Sequence, residues 1–121
     1  MNFRQLIMDY LSERLGDSAA LRQDYPSELP ASPVVTYAEA ANNAYRTLDV
    51  EEYLTEYECM LDVFASDVKT ADEIAEVLSA AMRDMGFRRT YSNDASPMDG
   101  GRHTQMRFRG LIGPGNIVYQ S

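Results

Sequence analysis

Residues 53–65, YLTEYECMLDVFA, restrict the fold of this chain more than any other segment does. Side chains of a β-strand point alternately to its two faces, and one face of this run would be almost entirely apolar or aromatic. The other face carries Leu54, Glu56 and Glu58 at its wetter start and becomes drier towards Met60 and Phe64, so we expect a neighbouring element to cover that end. The predicted core face consists of Tyr53, Thr55, Tyr57, Cys59, Leu61, Val63 and Ala65.

The region that follows has a helical period. Across residues 69–87, apolar side chains recur every three or four positions, which is typical of an amphipathic helix. Thr70 and Glu73 have the spacing of a capping box, which predicts that Thr70 caps the first turn. Gly86 predicts the end, because glycine adopts the left-handed conformation that closes many helices at little cost. The predicted buried stripe consists of Ile74, Val77, Leu78, Ala81, Met82 and Met85.

A first amphipathic helix is predicted for residues 2–16, with Asn2 as N-cap and Gly16 as the stop. Asp9 and Glu13 interrupt its apolar residues. The segment therefore lacks the continuous apolar block of a signal peptide and is shorter than the roughly 18 apolar residues of a membrane span. We therefore expect no membrane segment and a protein that is cytoplasmic where it is made. Its apolar stripe consists of Phe3, Leu6, Ile7, Tyr10, Leu11 and Leu15.

Strands are predicted on both sides of the second helix. Residues 34–40, VVTYAEA, are rich in β-branched and aromatic side chains, and residues 87–92, FRRTYS, favour a strand that leaves the helix. Residues 102–112, RHTQMRFRGLI, favour a returning strand, and residues 116–120, NIVYQ, could add a short last one. The predicted inner face of the returning strand has Thr104, Met106, Phe108 and Ile112, and its outer face has His103, Gln105, Arg107 and Arg109.

Three breaks separate these elements. Three prolines make residues 21–33 an extended connector, Asn42 and Asn43 favour a turn, and residues 92–101 favour a loop. The predicted order within a single domain, residues 1–121, is helix, strand, strand, helix, strand, strand. Strand pairs separated by helices predict an α+β fold with two helices packed on one mainly antiparallel sheet.

The charge of the chain is unevenly distributed. The net charge is −8, yet residues 86–110 contain five arginines against two aspartates, so this segment carries +3 and the remainder −11. Nucleic-acid binding usually depends on a basic footprint that neutralises phosphates. The acidic balance therefore argues against a nucleic-acid partner over a broad face.

The arginine-rich segment is the best candidate for a functional surface. Arg88 and Arg89 would point to opposite faces of a strand, so at least three arginines should emerge on one outer surface. Pairing with Glu56 and Glu58 of this chain ranks first, contact with another copy second, and nucleic-acid binding remains open. The candidate subunit or partner interface consists of Arg88, Arg89, Arg102, His103, Arg107, Arg109, Glu56 and Glu58.

The sequence offers little for catalysis. His103 and Cys59 are the single histidine and the single cysteine, which is a poor ligand set for a metal, and no phosphate-binding glycine motif is present. Cys59 cannot form an intramolecular disulfide and is expected to be a buried structural thiol. His103 could act as a general base in a small hydrolase, but no nucleophile can be placed beside it. We expect no enzyme activity, no catalytic residues, no cofactor and no metal.

Four stretches together resemble one known family. They are PVVTYAEAANNAYR at 33–46, YECMLDVFAS at 57–66, IAEVLSAAMRDMGFRRTYSND at 74–94 and RHTQMRFRG at 102–110. In this order and spacing they resemble the tail-completion proteins of long-tailed bacteriophages, which are also called tail terminator or tail-to-head joining proteins. The resemblance covers about residues 1–112.

The resemblance implies a structural role. Members are small α+β proteins that assemble as a ring, typically a hexamer, which caps the tail tube, ends its polymerisation and offers a surface for head joining. The implied partners are other copies of the chain, the tail tube protein and a head-completion or connector protein. The implied location is the head–tail junction of the virion, and the bacterial host cytoplasm during assembly.

Two alternatives stay open. One is a head-completion or minor capsid protein of the neck, since such proteins can be similarly short and α+β. The other belongs to a different class: a small module that binds a ligand or nucleic acid through the arginine-rich strands.

Overall fold

Six strands form one sheet in the computed structural model, which describes residues 3–23, 32–46, 53–95, 101–113 and 118–119. The predicted α+β class is confirmed, with two helices and a sheet in which only the first two strands pair in parallel among those described. In chain order the elements are α1 (Phe3–Leu15), β1 (Ala20–Arg22), β2 (Val34–Arg46), β3 (Tyr53–Ala65), α2 (Val68–Asp84), β4 (Arg88–Ala95), β5 (Arg102–Ile112) and β6 (Val118–Tyr119).

The strand order is β1-β2-β3-β5-β4, and β6 pairs with the far end of β5. The long alternating run forms β3 at the centre, where it pairs with β2 on one side and with β5 on the other. In the β3–β5 register Glu58 lies opposite Arg109, and Phe64 lies opposite His103. This register brings the acidic positions of β3 next to the basic positions of β5.

Both helices belong to the core side of the sheet, since their apolar residues form one buried cluster with the core-facing residues of the strands. The predicted core face of β3 is confirmed wherever burial is described: the buried residues are Tyr57, Cys59, Leu61, Val63 and Ala65. The predicted inner face of β5 is confirmed as well, since Thr104, Met106, Phe108 and Ile112 are all buried. The predicted helix stripes are confirmed at the described positions except Leu6 and Val77, which are exposed. Tyr10 and Met85 are only partly buried, and the side chain of Phe3 lies outside the described part of the structure.

Both predicted helix stops are confirmed. Gly16 has φ of +56° and Gly86 has φ of +97°, which are backbone conformations that side chains with a Cβ rarely adopt. The capping-box prediction is wrong, because α2 begins at Val68 with Asp67 as its N-cap in an extended conformation. The chain leaves β3 and turns into the helix within two residues, so Thr70 already lies in the first turn and Glu73 further along the helix. The predicted N-cap Asn2 lies outside the described residues.

The turn predicted at Asn42 and Asn43 is wrong. Both residues belong to β2, where they pair with Tyr57 and Glu56 of β3. Backbone pairing along a strand of 13 residues outweighs the weak local preference of asparagine for turns. The irregularity in the strand falls earlier, as a bulge between Glu39 and residue 41.

Two predicted connections are shorter than expected. The connector at 21–33 begins within β1, whose three residues pair in parallel with β2. The loop at 92–101 is wrong at its start, because β4 continues to residue 95. The remainder of both connections lies mostly outside the described residues. The short last strand predicted at 116–120 is confirmed at residues 118–119 as β6.

Candidate functional site

The face of the sheet opposite the helices collects most of the predicted interface residues; we call it the outer face. Alternation along β3 and β5 directs the non-core side chains of both strands to this face. The register of β4 then adds Arg88, which lies opposite Arg109. Six of the eight predicted interface residues therefore share the outer face: Glu56, Glu58, Arg88, His103, Arg107 and Arg109.

Four of these side chains form a ladder of opposite charges, which we call the charge ladder: Glu56 and Glu58 on β3, Arg107 and Arg109 on β5. Arg109 Nη2 lies 3.0 Å from Glu56 Oε2, and its Nε lies 3.9 Å from Glu58 Oε1. Arg107 Nη1 lies 4.0 Å from Glu58 Oε2. Two basic strand positions are thus compensated within the chain, as the first-ranked interpretation of the sequence expected.

The register explains which pairs form. Glu58 is directly opposite Arg109, whereas Glu56 reaches Arg109 and Glu58 reaches Arg107 along the diagonals. Cross-strand pairs of opposite charge at these spacings contribute about 0.2–1 kcal/mol each. The charge ladder therefore fixes side-chain orientation on the outer face more than it stabilises the fold.

Arg89 and Arg102 do not join the charge ladder. Arg89 lies opposite Phe108, and Arg102 lies opposite Ala65, which are both core-facing positions. The two arginines consequently belong to the helix side of the sheet, where they line a groove along α2. The prediction that Arg88 and Arg89 point to opposite faces is confirmed, while an interface role for any of the eight residues remains a prediction.

A buried polar cluster occupies the other end of the outer face. The Asp62 side chain is 1% exposed, and its Oδ1 lies 3.1 Å from His103 Nε2. Thr36 on β2 donates a long hydrogen bond of 3.5 Å to Asp62 Oδ2. The His103 ring stacks on Phe64 with 4.2 Å between ring centroids. This cluster confirms that the apolar end of the second face of β3 is covered.

Sequence reasoning did not single out Asp62. Strand alternation could have identified it, because it places the Asp62 carboxylate between Met60 and the buried Phe64, at the apolar end of the face. A buried carboxylate requires partners, which His103 and Thr36 supply. The lone histidine of the chain is therefore held between this buried carboxylate and the Phe64 ring.

A second polar cluster lies within the core. The hydroxyl groups of Tyr37 and Tyr57 are 2.5 Å apart, and either can donate the hydrogen bond. Cys59 is fully buried beside them, as the sequence predicted, and burial raises the pKa of its thiol to about 12. Burial likewise raises the pKa of Tyr37 and of Tyr57 above the ordinary value of 10.0. These groups are neutral at physiological pH, and a thiol of this kind is a poor nucleophile.

The described ranges contain neither a cluster of metal ligands nor a helix that could span a membrane. Nowhere in them do three or more histidine, cysteine, aspartate or glutamate side chains converge as metal ligands would. Within the same ranges, neither helix combines the length and the apolar character that crossing a bilayer requires.

The molecule is thus a small α+β protein with two helices on one face of a mainly antiparallel sheet and a charged opposite face. No protein-family model matches the sequence, and no curated protein matches it. Among solved structures, the chain is similar to one from the virion of a native gene transfer agent (GTA) particle, with a TM-score of 0.57 and 16% sequence identity. The alignment covers 85% of this chain and 84% of that one. At this identity, the similarity establishes a shared fold.

Proposed function

We propose that this chain is a structural protein of a phage-like virion. The observation that carries the proposal is the similarity to a chain of a gene transfer agent virion, which extends over 85% of one chain and 84% of the other. Agreement over nearly the whole of both chains favours a shared type of protein over a shared substructure. Fold alone does not determine function, so the proposal also draws on the sites and on the sequence.

The more specific role that we propose is that of a tail terminator. Copies of the chain would form a ring, typically a hexamer, on the end of the tail tube, stop its growth and present a surface to a head-completion or connector protein. The four ordered stretches that resemble tail-completion proteins support this role. The location that follows is the head–tail junction of the virion, reached after assembly in the cytoplasm of the bacterial host.

The sheet offers edges that suit such an assembly. Among the described strands β4 pairs with β5 alone, and β2 beyond Thr36 pairs with β3 alone. Open strand edges present backbone donors and acceptors to which another chain can pair. Two different edges on one molecule allow head-to-tail contacts, which close into a ring when the rotation permits.

We also propose that the chain acts without catalysis. The histidine that a hydrolase would need is engaged with the buried Asp62 and stacked on Phe64, and the thiol of Cys59 is buried and protonated. Both groups are better suited to holding the fold together than to attacking a substrate.

The competing hypothesis of a nucleic-acid module has less support. Arg107 and Arg109 already face carboxylates of the same chain, so phosphate binding there would have to displace Glu56 and Glu58. A neck protein remains the nearest alternative, since it would share the structural character of the proposal and differ in its place in the particle.

The proposal is tested by growth of tail tubes in the presence of the purified chain. Tube protein from the same particle is polymerised with and without it, and tube lengths are measured by negative-stain electron microscopy. We expect ring-shaped density at tube ends and arrested elongation. Tubes that lengthen equally in both samples, with bare ends, would contradict the tail-terminator role. Heat-denatured chain serves as the control for non-specific effects.

A further inference from the structure

Three arginines surround an open cleft at the corner where α2 ends and β4 begins. Arg83 comes from the last turn of the helix, and Arg88 and Arg89 are the first two residues of the strand. The cleft has a volume of about 300 Å³, and its remaining lining consists of Ser79, Phe87 and Phe108. We call it the arginine cleft. Its lining contains three arginines and no carboxylate; Arg83 and Arg89 belong to the helix side of the sheet, whereas the register of β4 directs the Arg88 side chain to the outer face.

Arg83, Arg88 and Arg89 are exposed, and none of them forms an ion pair with a described carboxylate. The nearest acidic residue in sequence, Asp84, pairs with Arg14 of α1 at 3.7 Å. Arg83 and Arg89 both lie on the helix side of the sheet, so an anion in the cleft would be attracted by two positive charges that form no ion pair with a described residue.

The arginines of the cleft differ from those of β5 in having no ion pair with a described carboxylate. In the charge ladder, Arg107 and Arg109 face the carboxylates of β3. Arg83 and Arg89 also line the neighbouring groove, which includes Asp72 and Glu76, but they form no ion pair with either of these described carboxylates. The favourable interaction of a cation with the helix C-terminus accounts for Arg83, but not for the two arginines that lie beyond the helix end.

We infer that the arginine cleft binds carboxylate side chains of a second copy of this chain. Guanidinium groups bind carboxylates through paired hydrogen bonds, and a cleft of about 300 Å³ accommodates side chains and not a nucleic-acid duplex. Copies of the chain are a ready source of carboxylates, since its net charge is −8. The cleft also adjoins the edge strand β4, so a copy that approaches this edge brings acidic groups to it. This inference rests on the self-assembly in the proposed function and names one contact through which it occurs.

The test compares two charge reversals of equal size. Arg89→Glu places a carboxylate in the cleft, while Lys69→Glu makes the same change at an exposed position in the first turn of α2, far from the cleft. Self-association is measured by sedimentation velocity over a range of protein concentrations and at about 50 and 500 mM NaCl. We expect Arg89→Glu to weaken association by at least about tenfold and Lys69→Glu to leave it unchanged within about twofold. Arg83→Glu should behave like Arg89→Glu, and circular dichroism verifies that each variant is folded.

Three results would overturn the inference. The first is a wild-type protein that is monomeric at every concentration, both alone and with tail tubes. The second is association of Arg89→Glu that equals that of the wild type. The third is binding of a short labelled DNA strand that Arg89→Glu abolishes and Lys69→Glu does not, because the cleft would then be a phosphate site.

The same variants separate this inference from the proposed function. If both wild type and Arg89→Glu cap tail tubes, the cleft is not the contact, although the tail-terminator role stands. If association depends on Arg89 but no copy binds a tube end, the contact stands and the tail-terminator role fails.

Discussion

His103 Nε2 lies 3.1 Å from Asp62 Oδ1, and this contact joins β5 to β3 on the face of the sheet that the helices do not cover. The carboxylate is almost fully buried, so its hydrogen-bond partners must offset the free-energy cost of removing it from water. Stacking of the imidazole on Phe64 holds the ring in place beside the carboxylate. The pair therefore acts as a structural link at the end of the sheet opposite the charge ladder.

Replacement of His103 by alanine should destabilise the protein. The change removes a hydrogen-bond partner of buried Asp62 and a ring that packs on Phe64, and we expect a loss of about 1–3 kcal/mol. Urea unfolding at pH 7 measures the change in free energy of unfolding. Gln105→Ala, on the same face of β5, is the matched control and should cost less. Equal effects of the two substitutions would contradict a specific role for the pair.

The charge ladder should contribute little to stability. A double-mutant cycle with Glu56→Ala and Arg109→Ala isolates the 3.0 Å contact, and we expect a coupling free energy of about 0.2–1 kcal/mol. Both side chains are about a quarter exposed, so salt should reduce the coupling further. A coupling well above this range that persists in 1 M NaCl would show that the ladder has more than a surface role.

Alkaline pH should unfold the protein through its buried thiol and phenols. Burial raises the pKa of Cys59 from 9.0 to about 12, so the unfolded chain releases its proton at lower pH than the folded chain does. The resulting stabilisation is complete below pH 9 and is lost as pH rises towards 12, at about 1.4 kcal/mol per pH unit. Tyr37 and Tyr57, whose pKa values are also raised, extend the loss above pH 10.

Urea unfolding at several values between pH 8 and 10.5 measures this dependence. The Cys59→Ala variant should start from a lower stability but lose less of it between pH 9 and pH 10, the ordinary pKa values of a thiol and a phenol. A variant that loses stability with the same slope as the wild type over this interval would show that Cys59 is not the titrating group.

The two glycines that end the helices should differ in their tolerance of a side chain. Gly86 has φ of +97°, so we expect Gly86→Ala to cost about 1–3 kcal/mol through backbone strain. Gly16 has φ of +56°, where asparagine is tolerated, and no atom lies within 4 Å of an added Cβ. Gly16→Asn should therefore cost less than about 1 kcal/mol. Thermal unfolding of both variants compares the two, and a larger loss for Gly16→Asn would contradict the expectation.

The sequence predicts β3 and α2 well because local pattern and packing agree there. Residues 53–65 alternate strictly enough to fix both faces of the strand, and the helical period of α2 continues to the stop at Gly86. Asn42 and Asn43 illustrate the opposite case, since their pairing partners on β3 are distant in sequence and override the local preference. The sequence also predicts the wrong N-cap for α2, Thr70 in place of Asp67. Both residue types are acceptable caps, and only the path of the chain out of β3 distinguishes them.

The candidate sites were predictable to different degrees. Strand alternation alone indicated that Arg107 and Arg109 would face outward, and pairing with Glu56 and Glu58 was the first-ranked of three interpretations. The arginine cleft could not be predicted, because Arg83 lies on a helix and meets the first residues of β4 only where the chain reverses after Gly86. Sites that depend on the angle between a helix and a strand require the tertiary structure.

The central claim, a place at the head–tail junction of a virion, is tested most directly by cryo-electron microscopy of particles assembled with and without this chain. We predict that density fitting its two helices and sheet forms a closed ring at the end of the tail tube, and that particles lacking the chain show tails without this ring and without heads. Complete head–tail joining in its absence, or particles in which no such density occurs, would contradict the claim.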